Sequence, residues 1–233
     1  MPDYLDIINR PHIYIDYESN KAGNIYLLGY QRQDNFQQKI MDTRLQGLAS
    51  FHKLEMIDPI QGTYDLLNIA VETNSIIVAY SEAERHIFHQ IQGHSKADKF
   101  KEVPYLNLHK AAKRWIKNHH SAKFKALPPF KITANAYQAK ALIRALCSVM
   151  RLTDFHAPFD YAPGKTTKRF DTVANALVRK EHDYSRLTPV QKQNATKGLK
   201  HNKFDVEALP VLFNTIYSEN PACFANAIKN CFD

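Results

Sequence analysis

The sequence predicts an α/β protein in which a mixed central β-sheet is flanked by α-helices. Apolar runs rich in β-favouring residues collect in the first half of the 233-residue chain, and helical patterns dominate from residue 109 onward. Residues 76–80 form a continuous apolar run, which is typical of a strand buried on both faces of a sheet. We therefore expect one domain over residues 1–233, with a helical insertion at about residues 109–165.

The first half of the chain predicts a hairpin followed by alternating helices and strands. Turn residues at 20–24 separate two β-favouring runs, a spacing typical of a hairpin, and residues 31–39 are polar. The predicted elements in order are strands at 12–16, 25–30 and 51–55, a helix at 64–73, a strand at 75–80, a helix at 84–89 and a strand at 105–108.

The second half predicts mainly helices. Residues 135–150 show the clearest amphipathic spacing, with Leu142, Leu146 and Met150 on one face. Thr188 and Pro189 are a typical N-cap and first helical residue. The predicted helices cover residues 111–118, 135–150, 172–180, 188–200 and 205–217, with a loop at 155–164.

Composition restricts the classes of partner and compartment. The formal net charge is +8 and the pI is near 9.3, which favours polyanionic partners through long-range attraction and counterion release. No stretch approaches the about 18 consecutive apolar residues that a membrane helix needs, and the N-terminus shows no secretory signal pattern. Three cysteines without Cys-x-x-Cys spacing argue against a disulfide framework and a zinc site, so we expect a reduced, cytoplasmic compartment.

The most informative residues are Asp16 and Glu18, which end the first predicted strand. Residues i and i+2 of a strand point to the same face, so the two carboxylates would lie side by side. Hard divalent cations such as Mg²⁺ bind through one or two carboxylates and keep waters for a phosphate substrate. The pattern therefore indicates a metal site suited to phosphodiester chemistry, with an exposed acidic pair on an edge strand as the alternative.

Two further acidic positions fit the same site. Glu84 follows the predicted strand at 75–80, with Ser81 in capping-box spacing, and Glu82 is a nearby rival. Asp205 lies one helical turn after His201, which could act as a general base toward a water. The alternative for each acid is a residue that complements the dipole at a helix start.

Together the three motifs resemble those of the ribonuclease H-like DEDD exonucleases, nearest to predicted nucleases related to the DnaQ-type 3′–5′ exonucleases. The motifs are Asp16-x-Glu18, Tyr80-Ser81-x-x-Glu84 and His201-Asn202-x-x-Asp205-Val206. The resemblance implies a ribonuclease H-like sheet and two Mg²⁺ or Mn²⁺ ions held by Asp16, Glu18, Glu84 and Asp205. It also implies hydrolysis in which one ion generates hydroxide, the other stabilises the leaving 3′-oxygen, and His201 orients or deprotonates the attacking water.

The chain departs from the family pattern at two positions. Glu84 stands where aspartate is usual, and His201 precedes Asp205 by four residues, where the family has tyrosine at that spacing or histidine one residue earlier. Two other functions therefore stay open beside a 3′–5′ exonuclease. One is a catalytically inactive nucleic-acid-binding module of the same fold, and the other is a structure-specific endonuclease.

Three basic clusters predict where nucleic acid binds. Lysines and arginines interleaved with aromatic residues are typical of surfaces that hold a single strand, since bases stack while phosphates are held electrostatically. The alternative for each cluster is a solvated helix face, and the oligomeric state is left open. The residues expected to contact nucleic acid are Lys113, Arg114, Lys165, Lys168 and Lys200.

Overall fold

A computed structural model confirms the α/β class. It describes residues 4–20, 22–92, 100–128, 130–131, 138–139, 142–158, 161 and 165–232. The strands are β1 (His12–Ser19), β2 (Ile25–Arg32), β3 (Asn35–Ile40), β4 (Glu55–Met56), β5 (Ile76–Ala79), β6 (Pro104–Asn107), β7 (Phe130–Lys131), β8 (Gln138–Ala139) and β9 (Ile228–Asn230). The α-helices are α1 (Tyr4–Ile8), α2 (Gln46–His52), α3 (Pro59–Glu72), α4 (Ala83–Gln92), α5 (Leu108–Trp115), α6 (Ser121–Lys125), α7 (Leu146–Met150), α8 (Thr166–Arg179) and α9 (Pro189–Glu219).

A seven-stranded mixed sheet in the order β4-β3-β2-β1-β5-β6-β9 forms the centre of the fold. The first strand is central, antiparallel to β2 on one side and parallel to β5 on the other, and β6 continues the parallel part. Because the carboxyl ends of parallel strands meet at one edge, the residues after β1, β5 and β6 are brought together there. Such an edge is the usual place for a ligand site in α/β sheets.

Both faces of the central strands are buried. Tyr14 and Val78 pack into a cluster with α5, α7 and α9, while their neighbours Ile13 and Ile77 pack on the other face with α3 and α4. Alternate residues along β1 and β5 therefore belong to different cores, as the apolar run at 76–80 predicts. Asp16 and Glu18 continue the series of Tyr14, so their side chains lie on the face covered by α9.

Two strand predictions in the first half need correction. The predicted strand at 51–55 is wrong, because residues 46–52 form α2 and Lys53 ends it in the left-handed region, at φ 55°. Only Glu55 and Met56 then pair with β3. The polar residues of β3 show no strand pattern in the sequence, and they form a strand because β2 supplies the backbone hydrogen bonds along its full length.

Two helix predictions in the second half also need correction. The predicted helix at 135–150 is wrong in extent, since α7 covers only its last turn and residues 138–139 pair as a strand with 130–131. Within the predicted span, residues 135–137 and 140–141 lie outside the described residues. The predicted helices at 188–200 and 205–217 are one continuous helix, α9, with Pro210 inside it.

Among the described residues of the segment 109–165, expected to be a helical insertion, helix is nearly continuous to residue 125 and returns only at α7. Residues 108–125 form α5, a π-helical turn at Ile116–His120 and α6, after which the short β7–β8 pair and α7 follow. Within the part of the chain that the structure describes, no helix is both long enough and apolar enough to span a membrane.

Candidate active site

The strand β1 delivers Asp16 and Glu18 to the face covered by α9. Their shared neighbour Tyr17 points to the opposite face, where its hydroxyl lies 2.9 Å from Thr63 Oγ1. Glu18 is buried, with 9% of its surface exposed, and the pairing of β1 with β2 becomes irregular directly after it. The alternative of an exposed acidic pair on an edge strand is therefore wrong, because β1 is the centre of the sheet.

A buried asparagine holds Asp16 in place. Asn202 Nδ2 on α9 donates to Asp16 Oδ2 at 2.7 Å and to the Asp16 carbonyl at 3.0 Å. Gln38 Nε2 on β3 donates to Asn202 Oδ1 at 2.9 Å, which completes the amide's contacts. Gly29 is paired with Asp16 across the sheet, and a Cβ there would lie 2.2 Å from Asn202 Oδ1. Glycine at this position therefore allows α9 to approach the acidic strand.

Glu84 enters the site from the first turn of α4. The helix follows β5, so the parallel pairing of β5 with β1 places Glu84 at the same edge as Asp16. Ser81 Oγ donates to Glu84 Oε2 at 2.9 Å and accepts from the Ala83 backbone N–H at 3.0 Å. The side chain is 6% exposed, so Glu84 is not a solvated helix-start carboxylate.

His201 and Asp205 lie one turn apart on α9 and face the same cavity. His201 Nε2 is 3.2 Å from Asp205 Oδ2, and the Tyr161 hydroxyl donates to Asp205 Oδ1 at 2.6 Å. The Tyr161 ring stacks on the His201 ring with 4.0 Å between centroids and 5° between planes. Burial and then the charge of Asp205 raise the pKa of Tyr161 well above its usual value, so the hydroxyl stays protonated and keeps donating.

The predicted acidic residues converge on one place, which we call the acidic pocket (Asp16, Glu18, Glu84, His201 and Asp205). One ligand atom each from Glu18, His201 and Asp205 lie within 4.8 Å of one another. Asp16, Glu84, His201 and Asp205 also line a cavity of about 530 Å³, together with Tyr80, Cys147 and Tyr161. Five residues spread over nearly 190 positions of sequence thus form one site at the carboxyl edge of the sheet.

Burial and mutual repulsion perturb the carboxylates. Burial raises the pKa of Asp16 well above its usual range, and the negative charges of Asp205 and Glu84 raise it further. Burial raises the pKa of Glu18 in the same way, followed by the charges of Asp16 and Asp205. Burial is also the main cause of the raised pKa of Glu84. The charge of Arg169 lowers the pKa of Glu18, and Arg144 lines the same cavity, but burial and mutual repulsion still disfavour the ionisation of Asp16, Glu18 and Glu84 together.

The donor set fits divalent cations that prefer oxygen. Four carboxylates and one imidazole are ligands for Mg²⁺ or Mn²⁺ sites, and no cysteine belongs to the converging group of Glu18, His201 and Asp205. A bound cation would also relieve the repulsion that raises the carboxylate pKa values. The Nδ1 atom of His201 is buried and has no hydrogen-bond partner within the described residues. That atom is an unused polar group at the site.

The predicted nucleic-acid-binding residues fall into two groups. Lys165 and Lys168 lie at the start of α8, which is tied to the end of β1 by the Thr167 hydroxyl donating to the Ser19 carbonyl at 3.0 Å. Lys200 precedes His201 and lines a small cleft with Tyr161, Lys197 and Pro158. Lys113 and Arg114 are exposed on α5 and do not line the cavity that holds the acidic residues.

Several residues of the site carry no functional signal of their own in the sequence. Asn202 stood in the third motif beside His201, and a glycine inside a predicted strand, Gly29, is a recognised sign of close approach. Gln38 lay in a polar stretch to which no element was assigned. Tyr161 lay in a predicted loop with no spacing that would connect it to Asp205, so only the fold could reveal it.

A scan against protein-family models found no match, and searches of curated proteins and of solved structures found none either.

Proposed function

We propose that this chain is a divalent-metal-dependent nuclease that hydrolyses phosphodiester bonds of DNA or RNA, acting as a 3′–5′ exonuclease. The observation that carries the proposal is the convergence of Asp16, Glu84 and Asp205 with His201 on one cavity. A carboxylate oxygen of Glu18 also lies within 4.8 Å of ligand atoms of His201 and Asp205. Burial and the neighbouring carboxylates raise the pKa values of Asp16 and Glu18 although the charge of Arg169 acts on Glu18, and such carboxylates are costly unless they serve a bound cation.

The fold is consistent with this function. A mixed sheet flanked by helices, with an antiparallel hairpin formed directly by the first acidic strand, supports the ribonuclease H-like interpretation of the three motifs. Each motif also occupies the kind of element that the resemblance implies. Asp16 and Glu18 lie on the first strand, Glu84 follows a later strand, and Asp205 lies on a late helix.

Asp16, Glu18, Glu84 and Asp205 would hold the ions. Bound divalent cations would supply a lowered water pKa and stabilisation of the negative charge that develops on the leaving oxygen. The residues of the chain set up this chemistry by fixing the carboxylates. Asn202 orients Asp16, Ser81 orients Glu84 and Tyr161 orients Asp205, each by a hydrogen bond of 3.0 Å or less.

His201 is suited to accept a proton from the attacking water. With Nε2 directed at the Asp205 carboxylate, the neutral tautomer that carries its proton on Nε2 leaves Nδ1 as an acceptor. That Nδ1 atom is the buried nitrogen without a partner among the described residues. Stacking on Tyr161 fixes the plane of the ring, so the acceptor has one direction.

The cavity supports action at a strand end. Its volume of about 530 Å³ lies within the about 300–1,000 Å³ of small-ligand sites, so it suits a single nucleotide rather than a duplex. The basic residues at the start of α8 and before His201 lie beside the site, where a phosphate backbone would approach.

A nuclease assay with Mn²⁺ on end-labelled single strands tests the proposal. We expect Asp205→Ala to reduce the rate at least ~100-fold, because a metal ligand contributes several kcal/mol of transition-state stabilisation. Glu207→Ala is the matched control, since Glu207 lies on the same helix and pairs with Lys203 at 3.6 Å. That control should retain activity within about twofold, as expected of an exposed ion pair.

Two outcomes would contradict the proposal. Wild-type protein that binds the oligonucleotide equally well with or without chelator, and never cleaves it, would be a binding module. Internal cuts in place of stepwise trimming would reassign the chain as an endonuclease.

Thermal unfolding gives an independent readout, since Mn²⁺ at about 100 times its Kd should stabilise the wild type by about 2.7 kcal/mol. The Asp205→Ala variant should lose most of that stabilisation.

A further inference from the structure

An exposed aromatic ring lies on the surface that leads away from the acidic pocket. Phe51, at the end of α2, is 62% exposed, although large apolar side chains are usually buried. One face of its ring stacks on the buried Tyr184 with 4.2 Å between centroids and 21° between planes, and the other faces solvent. Lys192 Nζ lies 5.9 Å from the centre of the Tyr184 ring and donates to the Ser185 carbonyl at 2.9 Å.

The helix that carries Lys192 connects this ring to the acidic pocket. Lys192, Thr196 and Lys200 are spaced four residues apart on α9, so they share one face. Lys200 borders the cleft that contains His201 and Tyr161. At 1.5 Å per residue, Lys192 and His201 are about 14 Å apart along the helix, equal to about four nucleotides of a stacked strand.

The charge of this surface suits a polyanion. Residues 189–204 of α9 contain four lysines and no acidic residue. On the neighbouring α8, the one acidic residue is Asp171, and its carboxylate accepts a hydrogen bond from the Tyr26 hydroxyl. In the segment beside Tyr184, Glu181 pairs with Arg186 at 3.5 Å and Asp183 accepts a hydrogen bond from Ser185. Both are therefore engaged locally.

The ring and the helix belong to one packed unit. Leu48 and Ala49 of α2 share a core cluster with Leu177 of α8 and with Ala195 and Leu199 of α9. The distance between the acidic pocket and the Phe51 ring is therefore fixed by the packing of these helices, so a bound nucleic-acid strand would find both ends of the surface in a constant geometry.

We propose that Phe51, supported by Tyr184 and flanked by Lys192, is a stacking platform for a base of single-stranded nucleic acid whose phosphates follow α9 to the acidic pocket. The inference rests on the proposed function, because it takes nucleic acid as the substrate. Stacking on an aromatic face tolerates any base, and the lysines contact phosphates shared by DNA and RNA. The platform would therefore lengthen the bound segment without reading its sequence.

Binding measured in EDTA tests the platform separately from cleavage. The probes are fluorescently labelled oligo-dT and oligo-rU of two lengths. Oligomers of about 12 nucleotides are long enough to reach the platform from the acidic pocket, and those of about 3 nucleotides are too short. We expect Phe51→Ala to weaken binding of the longer oligomers at least about fivefold, the low end for one stacked base, and to leave the shorter ones unchanged.

Variants at the same and at distant positions serve as controls. Phe51→Trp should bind at least as tightly as wild type, because it enlarges the stacking face, whereas Lys192→Gln should weaken binding and reduce its salt dependence. Val71→Ala removes an exposed apolar side chain from α3 and should change nothing. Circular dichroism on each variant verifies that the fold is intact.

The results separate the platform from the proposed function. Equal binding of wild type and Phe51→Ala at both lengths overturns the platform even if cleavage is normal, and equal loss at both lengths overturns it by showing damage to the pocket. A change in sedimentation without a change in oligonucleotide binding overturns it in favour of a protein contact. If Phe51→Ala weakens binding of the longer oligomers alone and the wild-type protein never cleaves, the platform is supported and the nuclease proposal is wrong.

Discussion

Two glutamates only two residues apart, Glu82 and Glu84, have opposite environments. Glu82 accepts from Lys110 Nζ at 2.5 Å and from Arg85 Nε at 2.8 Å. Burial would raise its pKa, but these hydrogen bonds lower it to about 2. Glu84 is buried in the acidic pocket, where its side chain accepts from Ser81 and where the nearby charge of Asp205 helps to raise its pKa.

The contrast distinguishes a carboxylate that stabilises the fold from one available to a ligand. Glu82 is satisfied by the protein's own cations, so its charge has a fixed partner in the folded state. Glu84 pairs with no lysine or arginine among the described residues, so its charge is left for a partner from outside. In the sequence, only the spacing from Ser81 favours Glu84 over Glu82, because both residues follow the same strand and lie at the start of the same helix.

Neutralising each glutamate in turn should give the largest difference. We expect Glu84→Gln to reduce Mn²⁺-dependent cleavage about 100-fold, because it removes a metal-binding carboxylate, and Glu82→Gln to change it less than about threefold. Initial rates on an end-labelled single strand, at saturating Mn²⁺, measure both. Equal losses in the two variants would mean that the pairing with Lys110 and Arg85 is as important to the site as Glu84 itself.

The pH dependence of stability should also distinguish a carboxylate of the acidic pocket, here Glu18, from the ion-paired Glu82. A carboxylate whose pKa is raised in the folded state binds more protons folded than unfolded, so the free energy of unfolding falls as pH rises above the usual value of about 4.5. In EDTA at pH 8, Glu18→Gln should therefore be more stable than wild type, by about 1.4 kcal/mol for each unit of raised pKa. Urea unfolding at pH 5, 6.5 and 8 measures the difference, which should shrink toward pH 5.

Glu82→Gln should show the opposite sign. A depressed pKa contributes stability above about 4.5 that is lost as pH falls toward about 2. The variant should therefore be less stable than wild type from pH 5 to 8, by a small amount that added salt reduces, since Lys110 is partly exposed. Destabilisation by Glu18→Gln at pH 8 without metal would show that packing, and not repulsion, dominates the acidic pocket.

The sequence predicted those parts of the fold that local patterns determine. The β1–β2 hairpin and the buried β5 follow from apolar runs and turn residues, and the start of α9 follows from Thr188 and Pro189. The strand β3 is not predicted because its sequence is mostly polar and shows no apolar alternation, while its pairing depends on β2. The helix expected at 135–150 failed because apolar spacing alone did not reveal the turn at 142–145, where the Ala145 N–H donates to the Leu142 carbonyl at 2.9 Å.

The acidic residues of the site were predictable, and the residues that hold them were not. Each acid stood in a short motif at the end of a strand or on a helix. Tyr161 and Gln38 act across the fold, 44 residues from Asp205 and 164 residues from Asn202, and no local rule joins such positions. Residues 188–200 and 205–217 were predicted as two helices, but they belong to the single helix α9. Asn202 therefore lies inside a helix, from which its side chain reaches Asp16.

Removing one hydroxyl should give the smallest effect and would sharpen the comparison most. Tyr161→Phe keeps the ring that stacks on His201 but loses the hydrogen bond to Asp205, so we expect about a three- to tenfold lower rate with little change in substrate KM. Tyr17→Phe is the matched control. It removes a buried hydroxyl from β1, on the face opposite to Asp16 and Glu18, and should leave the rate unchanged. Tyr161→Ala removes the stack as well, and a further loss confined to that variant would assign ring orientation to His201 and carboxylate orientation to the hydroxyl. A Tyr161→Phe rate equal to wild type would instead mean that His201 alone fixes Asp205, and that the orienting contacts of the acidic pocket are redundant.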